Sequence, residues 1–146
     1  MIRVGLNFSR LVTKMNIGTL IHAERKSKGK TLREIAEALT IRVNTVWEME
    51  KLNRGSMTSL ERISQFLGVE WIGLPPGNSL GARVRTARIR RGWTQETLAK
   101  KAGISRPAMI RVEADRAQIS SLCAVLDVIA PDIRPRKPVI RQFVKS

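Results

Sequence analysis

The 146-residue chain is poor in the residue types that most often carry chemistry. It has no tyrosine, one histidine (His22) and one cysteine (Cys123). A single thiol excludes an intrachain disulfide, and one thiol with one imidazole excludes a zinc cluster. Both absences fit a reducing, cytoplasmic setting. There is no Ser-His-Asp set, no paired-carboxylate motif and no phosphate-cradling glycine loop, so neither an enzyme nor a cofactor is expected. Long apolar runs are missing too. None approaches the roughly 20 residues of a membrane span, and the opening "MIRVGLNFSRLVTK" lacks the continuous apolar stretch and small-residue cleavage site of a signal peptide. No membrane partner is expected. Three tryptophans and three phenylalanines are too few to spare exposed rings for stacking single-stranded bases. Acidic residues are also scarce, 12 against 27 basic, for a net charge of +15. The imbalance is uneven: 12 basic and 7 acidic residues lie in 1–73, and 15 and 5 in 74–146. Such a balance selects a polyanionic partner, nucleic acid before anionic lipid and a duplex before a single strand.

What the sequence does have is an internal repeat. "IGTLIHAERKSKGKT" from Ile17 and "LGARVRTARIRRGWT" from Leu80 align at a shift of 63 residues. Gly18, Arg25, Gly29 and Thr31 fall on Gly81, Arg88, Gly92 and Thr94. Ala36, Ile41 and Glu50 fall on Ala99, Ile104 and Glu113, and Leu60 meets Leu122 after one deletion. "GLPPGNS" lies between the copies, and its Pro75-Pro76-Gly77 breaks any helix. The expected organisation is an N-terminal arm (1–14), a first unit (15–72), a linker (73–79), a second unit (80–131) and a basic C-terminal tail (132–146).

Each unit reads as four or five short helices, with no strand pattern. In the second, Leu80, Val84, Ala87 and Arg88 sit at helical spacing and Gly92 ends the helix. Thr94 and Ser105 are N-cap residues, Gly103 supplies a turn, and Pro107 is tolerated in a first turn. "SSLCAVLDVIA" is a mostly apolar closing helix. In the first unit, Thr31 and Glu34 form a capping-box pattern, and Leu60, Ile63, Phe66 and Leu67 belong to the closing helix.

The stretch "ARIRRGWTQETLAKKAGISRPAMIRVE" resembles the helix-turn-helix domain of the phage repressor and Cro class, the XRE family. The likeness rests on Gly92, Thr94-Gln95, Leu98-Ala99, Gly103, Ile104-Ser105 and Ile110 through Glu113. It implies an all-α chain: two small helix-turn-helix domains in tandem, joined by a Pro/Gly linker, with a third helix in each that enters the major groove of double-stranded DNA. In that register Arg106, Pro107 and Arg111 face the bases, and Ala108 between them is set for a thymine methyl. Arginine is the side chain suited to the O6/N7 edge of guanine. Gln95, with Thr94 and Ser105 at helix starts, is implied at phosphates. Arg88, Arg90, Arg91 and Arg116 are further phosphate candidates, adding affinity and salt dependence. The first unit is degenerate. Leu32 replaces Gln95, Thr40 stands at the turn glycine, and Val43 and Glu48 stand at the positions of Arg106 and Arg111. Its second-site candidates are Arg42, Asn44, Thr45 and Glu48.

Bland readings compete with these. Exposed arginines on a helix are most often solvated surface. Trp47 reads as core, Trp71 as packing where the first unit meets the linker, Trp93 as a staple beside the Thr94 cap, and Cys123 as buried and inert. His22 has no carboxylate or second histidine at ligand spacing and is assigned nothing. In the tail, "RPRKP" cannot be regular helix, and "RPRKPVIRQFVKS" as a whole reads either as an arm along DNA or as a segment docking on a partner. The expected function is a DNA-binding transcription regulator, a repressor, associated with the bacterial or phage nucleoid. The open alternatives are a regulator acting by protein contact (an anti-activator or antitoxin, through the first unit or the tails) and a plasmid or phage maintenance protein. A homodimer is compatible with each.

Overall fold

The fold is built from short helices whose ends are fixed by residues legible in the sequence. A computed structural model describes residues 15–136, so the expected N-terminal arm and the tail from residue 137 onward lie outside the described residues. Four helices come first: α1 (Ile17–Ser27), α2 (Leu32–Leu39), α3 (Val43–Leu52) and α4 (Met57–Leu67). A strand β1 (Val69–Ile72) follows, then α5 (Leu80–Arg90), α6 (Gln95–Ala102), α7 (Arg106–Glu113), α8 (Ile119–Ile129) and strand β2 (Asp132–Pro135). Asn16, Thr31, Ser56, Ser79, Thr94 and Ser105 each accept a hydrogen bond from a first-turn N–H of the helix that they cap. At Thr31 the capping box is complete, with Glu34 bonding back to the Thr31 N–H at 2.8 Å.

The two sets of four helices repeat each other in detail. Ile17, Ile21, Ile35, Val46, Met49 and Leu60 are buried, and so are their counterparts Leu80, Val84, Leu98, Met109, Val112 and Leu122. Gly18 donates its N–H to Asn53 Oδ1 at 2.9 Å, and Gly81 donates to Asp115 Oδ1 at 2.8 Å. Asn53 and Asp115 both hold left-handed backbone, at φ 51° and 62°. The single deletion in the repeat therefore falls between Glu113 and Asp115, at the C-terminal end of α7, where its counterpart α3 runs two residues further, to Leu52.

Thr40 and Gly103 also correspond, and both are left-handed, at φ 56° and 73°. A β-branched residue is strained in that region where glycine is not. Thr40→Gly is expected to stabilise the protein by about 1 kcal/mol, after the entropy that the unfolded glycine regains. A urea titration checks this, and a loss of stability would show that the threonine side chain makes compensating contacts.

The halves do not stand apart on a linker. α4 packs on α8 and one continuous core runs through both sets. The Met57 N–H donates to the Ala117 carbonyl at 3.1 Å, and the Ile119 N–H donates to the Gly55 carbonyl at 2.8 Å. Nor is the chain purely helical. β1 and β2 form a two-stranded antiparallel sheet in which Trp71 pairs with Ile133 and Glu70 with Arg134. Residues 132–135, expected within the tail, are thus this second strand. Pro135 is accommodated at its end because, among the described residues, the sheet has only two strands and each is an edge strand. The linker is pinned as well. Leu74 is buried, and the Arg83 guanidinium donates to the carbonyls of Trp71, Leu74 and Pro75 at 2.9–3.3 Å. The Leu80 N–H donates to the Glu61 carboxylate at 3.1 Å, and burial raises the Glu61 pKa above the usual carboxylate range.

Candidate nucleic-acid interface

α7 is eight residues long and its sides divide cleanly. Ala108, Met109 and Val112 face the core. Arg106, Pro107, Ile110 and Arg111 are exposed. At 100° per residue those four span an arc of about 140°, with Ile110 between Arg106 and Pro107. Two expectations change here. Ala108, placed at a thymine methyl, is only 8% exposed, because it lies on the same side of the helix as Met109 and Val112. Ile110, grouped with the apolar frame, is 45% exposed and supplies the apolar contact on the outer face. Neither guanidinium, Arg106 or Arg111, has a hydrogen-bond partner among the described residues, and both side chains point outward.

The base of this face is organised by Glu113. Arg88 Nε and Nη2 donate to its two carboxylate oxygens at 2.6 and 3.2 Å, and Arg88 Nη1 donates to the Trp93 carbonyl at 2.7 Å. The side chains are 11% and 4% exposed. Arg88 was expected at a phosphate. It is instead a buried strut tying α5 to the end of α7, with both nitrogens of its Glu113-facing edge engaged. The same carboxylate accepts from Gln95 Nε2 at 3.0 Å, which orients the amide at the start of α6.

Around this centre the remaining positions vary. Thr94 Oγ1 caps α6 and also donates to Thr97 Oγ1 at 2.9 Å; Ser105 Oγ caps α7. Both hydroxyls are therefore engaged, although both residues are exposed. Arg90, Arg116, Lys100 and Lys101 are exposed. Arg91 and Lys101 lie over the Trp93 ring, 5.4 and 4.9 Å from its centroid, and hold positive charge near the Thr94 cap.

The first half repeats the strut and changes the face. Arg25 donates to Glu50 from Nε and Nη2 at 2.6 and 3.0 Å and to the Lys30 carbonyl at 2.8 Å. Burial works against the Glu50 charge, but hydrogen bonds from Arg25 and His22 outweigh it and keep the pKa below the usual carboxylate range. His22 Nδ1 sits 2.8 Å from Glu50 Oε1. The histidine thus has a carboxylate partner that its sequence neighbourhood does not supply, because Glu50 reaches it from α3. On α3 the outer side carries Val43, Asn44 and Trp47. Trp47, expected in the core, is 40% exposed, since it occupies the same outward position as Ile110. Asn44 Nδ2 donates to Glu48 Oε2 at 3.1 Å, while Arg42 is exposed at the N-cap without a side-chain cap bond and Thr45 is half-buried. Leu32, the counterpart of Gln95, packs against the core.

The strut was detectable before any coordinates. Arg25/Glu50 and Arg88/Glu113 recur with opposite charges at the same separation in both copies. The exposure of Ile110 follows from the helical wheel once Met109 and Val112 are placed inside.

Two further observations bear on the site. No helix among the described residues is long and apolar enough to cross a membrane. Residues 79–130 match the family model of a helix-turn-helix domain, from the N-cap of α5 to the C-cap of α8. No curated protein and no solved structure matches the chain.

Proposed function

We propose that this protein is a sequence-specific double-stranded DNA-binding transcription regulator, acting as a cytoplasmic, nucleoid-bound repressor of the phage repressor and Cro type. In this reading it uses two helix-turn-helix units in one chain: 15–72, degenerate, and 80–131. The observation that carries it is the outer face of α7, where Arg106 and Arg111, without hydrogen-bond partners among the described residues, flank Pro107 and Ile110 inside the helix-turn-helix match. Arg106 and Arg111 donate to guanine O6 and N7 in the major groove. Gln95, held by Glu113, takes a backbone phosphate, with the N–H groups of the first turns of α6 and α7 beside Thr94 and Ser105. Arg90, Arg91 and Arg116 take neighbouring phosphates. Arg42, Asn44, Thr45 and Glu48 mark the corresponding place on the first unit. No cofactor is invoked.

Arg111→Ala is expected to weaken binding to the selected operator by about 1–3 kcal/mol, roughly 5- to 150-fold, and binding to random duplex by much less. Fluorescence anisotropy at one fixed salt concentration measures both. Equal losses on the two duplexes would remove Arg111 from base reading and leave it as a phosphate contact.

A second reading has its own support. Val43, Trp47 and Leu52 are exposed on the first half, and Leu32 stands where Gln95 would be. An anti-activator or antitoxin that grips a protein through this half would show such an apolar face. It predicts that the intact chain selects no duplex sequence over random DNA.

A further inference from the structure

The contacts between the halves obey a two-fold rule. Met57 corresponds to Ile119, and Gly55 to Ala117. The bonds Met57 N–H to Ala117 O and Ile119 N–H to Gly55 O are therefore one bond made twice, once in each direction. Ser56 and its counterpart Gln118 form a bridge with each other. In the sheet, Trp71 corresponds to Ile133 and pairs with it. Glu70 pairs with Arg134, and the same pair recurs turned over as Ile72 with Asp132. Self-pairing of equivalent residues is the signature of an isologous interface, the kind that two identical subunits make across a dyad. Here the dyad lies inside one chain, and the surface that a second copy would use is already covered.

A duplex also has dyads, and a two-fold protein meets it with two heads in two half-sites. The heads here differ. The α7 head carries Arg106 and Arg111. The α3 head carries Val43 and Trp47, both exposed, and its carboxylate Glu48 is held by Asn44. An apolar side chain finds only one apolar group in the major groove, the C5-methyl of thymine. Exposed Arg33, Arg42, Lys51 and Arg54 on α2, α3 and the loops around it give this head positive charge for phosphates.

We propose, resting on the DNA-binding reading above, that one chain is its own dimer and binds one duplex site of two unlike halves: a guanine-bearing half under α7 and a thymine-bearing half under α3. The site is not an inverted repeat, and it fixes the direction in which the protein lies on DNA.

The test begins with selection of bound duplexes from random DNA by the full chain, followed by sedimentation of the complex. One chain per duplex and two dissimilar halves, about one helical turn apart, are expected. Uracil is then substituted for thymine in the half assigned to α3. This removes the methyl and is expected to weaken binding roughly fourfold per contacted methyl. Trp47→Ala is on the surface, so circular dichroism should match the parent protein, and the uracil effect should shrink in this variant while guanine preference in the other half stays. Two chains per duplex on an inverted repeat would overturn the proposal and leave the DNA-binding reading standing. So would a one-chain complex whose selected bases are confined to one half. If no duplex is selected, the functional reading falls and the unlike half-sites fall with it. Sedimentation of the free chain then still judges the internal dyad, which a stable two-chain species would overturn.

Discussion

Glu113→Ala is expected to destabilise the protein by about 3–5 kcal/mol, because it leaves the Arg88 guanidinium buried without its counter-charge. The ion pair is made through two N–H donors at 2.6 and 3.2 Å, with both side chains largely removed from water. Buried pairs gain little net energy when formed, but breaking one from a single side strands a charge. Thermal and urea denaturation measure the loss. A drop of under about 1 kcal/mol would mean that water reaches Arg88, and the strut would be a surface pair. The double variant Arg88→Met with Glu113→Leu supplies the contrast. It removes both charges and is expected to recover most of the stability. It should not recover full DNA affinity, since Gln95 also loses the carboxylate that orients its amide. That split between restored folding and unrestored binding separates the structural task of Glu113 from its positioning task.

The second large effect concerns the helix crossings. α1 crosses α3 at Gly18, and α5 crosses α7 at Gly81, with no space for a side chain. A Cβ at Gly81 would lie 2.5 Å from the Val112 carbonyl oxygen and 2.7 Å from that of Glu113. At Gly18 the obstructing groups are the Met49 and Glu50 carbonyls. These are backbone atoms near the C-terminal ends of packed helices and cannot swing aside as a side-chain tip can. Gly18→Val and Gly81→Val are each expected to cost about 3 kcal/mol or more, by overpacking and by loss of the N–H bond to Asn53 or Asp115. Differential scanning calorimetry should show a fall in Tm of several degrees for either variant. Wild-type Tm in Gly81→Val would mean that α5 can slide along α7 and that the closeness at Gly81 is incidental.

Much of this was legible in the sequence because it is local. The caps at Thr31, Thr94 and Ser105 rely on a hydroxyl and an N–H three residues on. The repeat places Gly18 with Gly81 and Arg25 with Arg88 before any packing is known. What escaped is non-local or directional. β2 is unreadable in the sequence because "DIRP" holds two charges and a proline, and its pairing partners lie 60 to 66 residues away. The chemistry of Trp47 points to the core, but its angle on the helix turns it outward. Arg88 reads as a phosphate contact because arginines are usually exposed, although Glu113 stands at the same separation from it as Glu50 from Arg25. His22 acquires its partner only through the crossing of α1 and α3. At the site, Arg106 and Arg111 were placed outward by the wheel, whereas the exchange of Ala108 for Ile110 needed the inner face to be fixed first.

The pairing of β1 with β2 has a consequence for synthesis. The first half leaves the ribosome long before its partner strand exists. Until about residue 129 has emerged the side of α4 that α8 will cover has no cover, and until about residue 135 β1 lacks its partner strand β2. A nascent chain in that condition offers an open strand and an apolar helix flank to any neighbour. Two chains caught there can exchange halves, the α4 of one closing on the α8 of the other. The last four residues of the described sheet therefore close the assembly, and a stop codon before Asp132 would release a protein whose helix sets still meet through α4 and α8 but whose β1 has lost its partner strand.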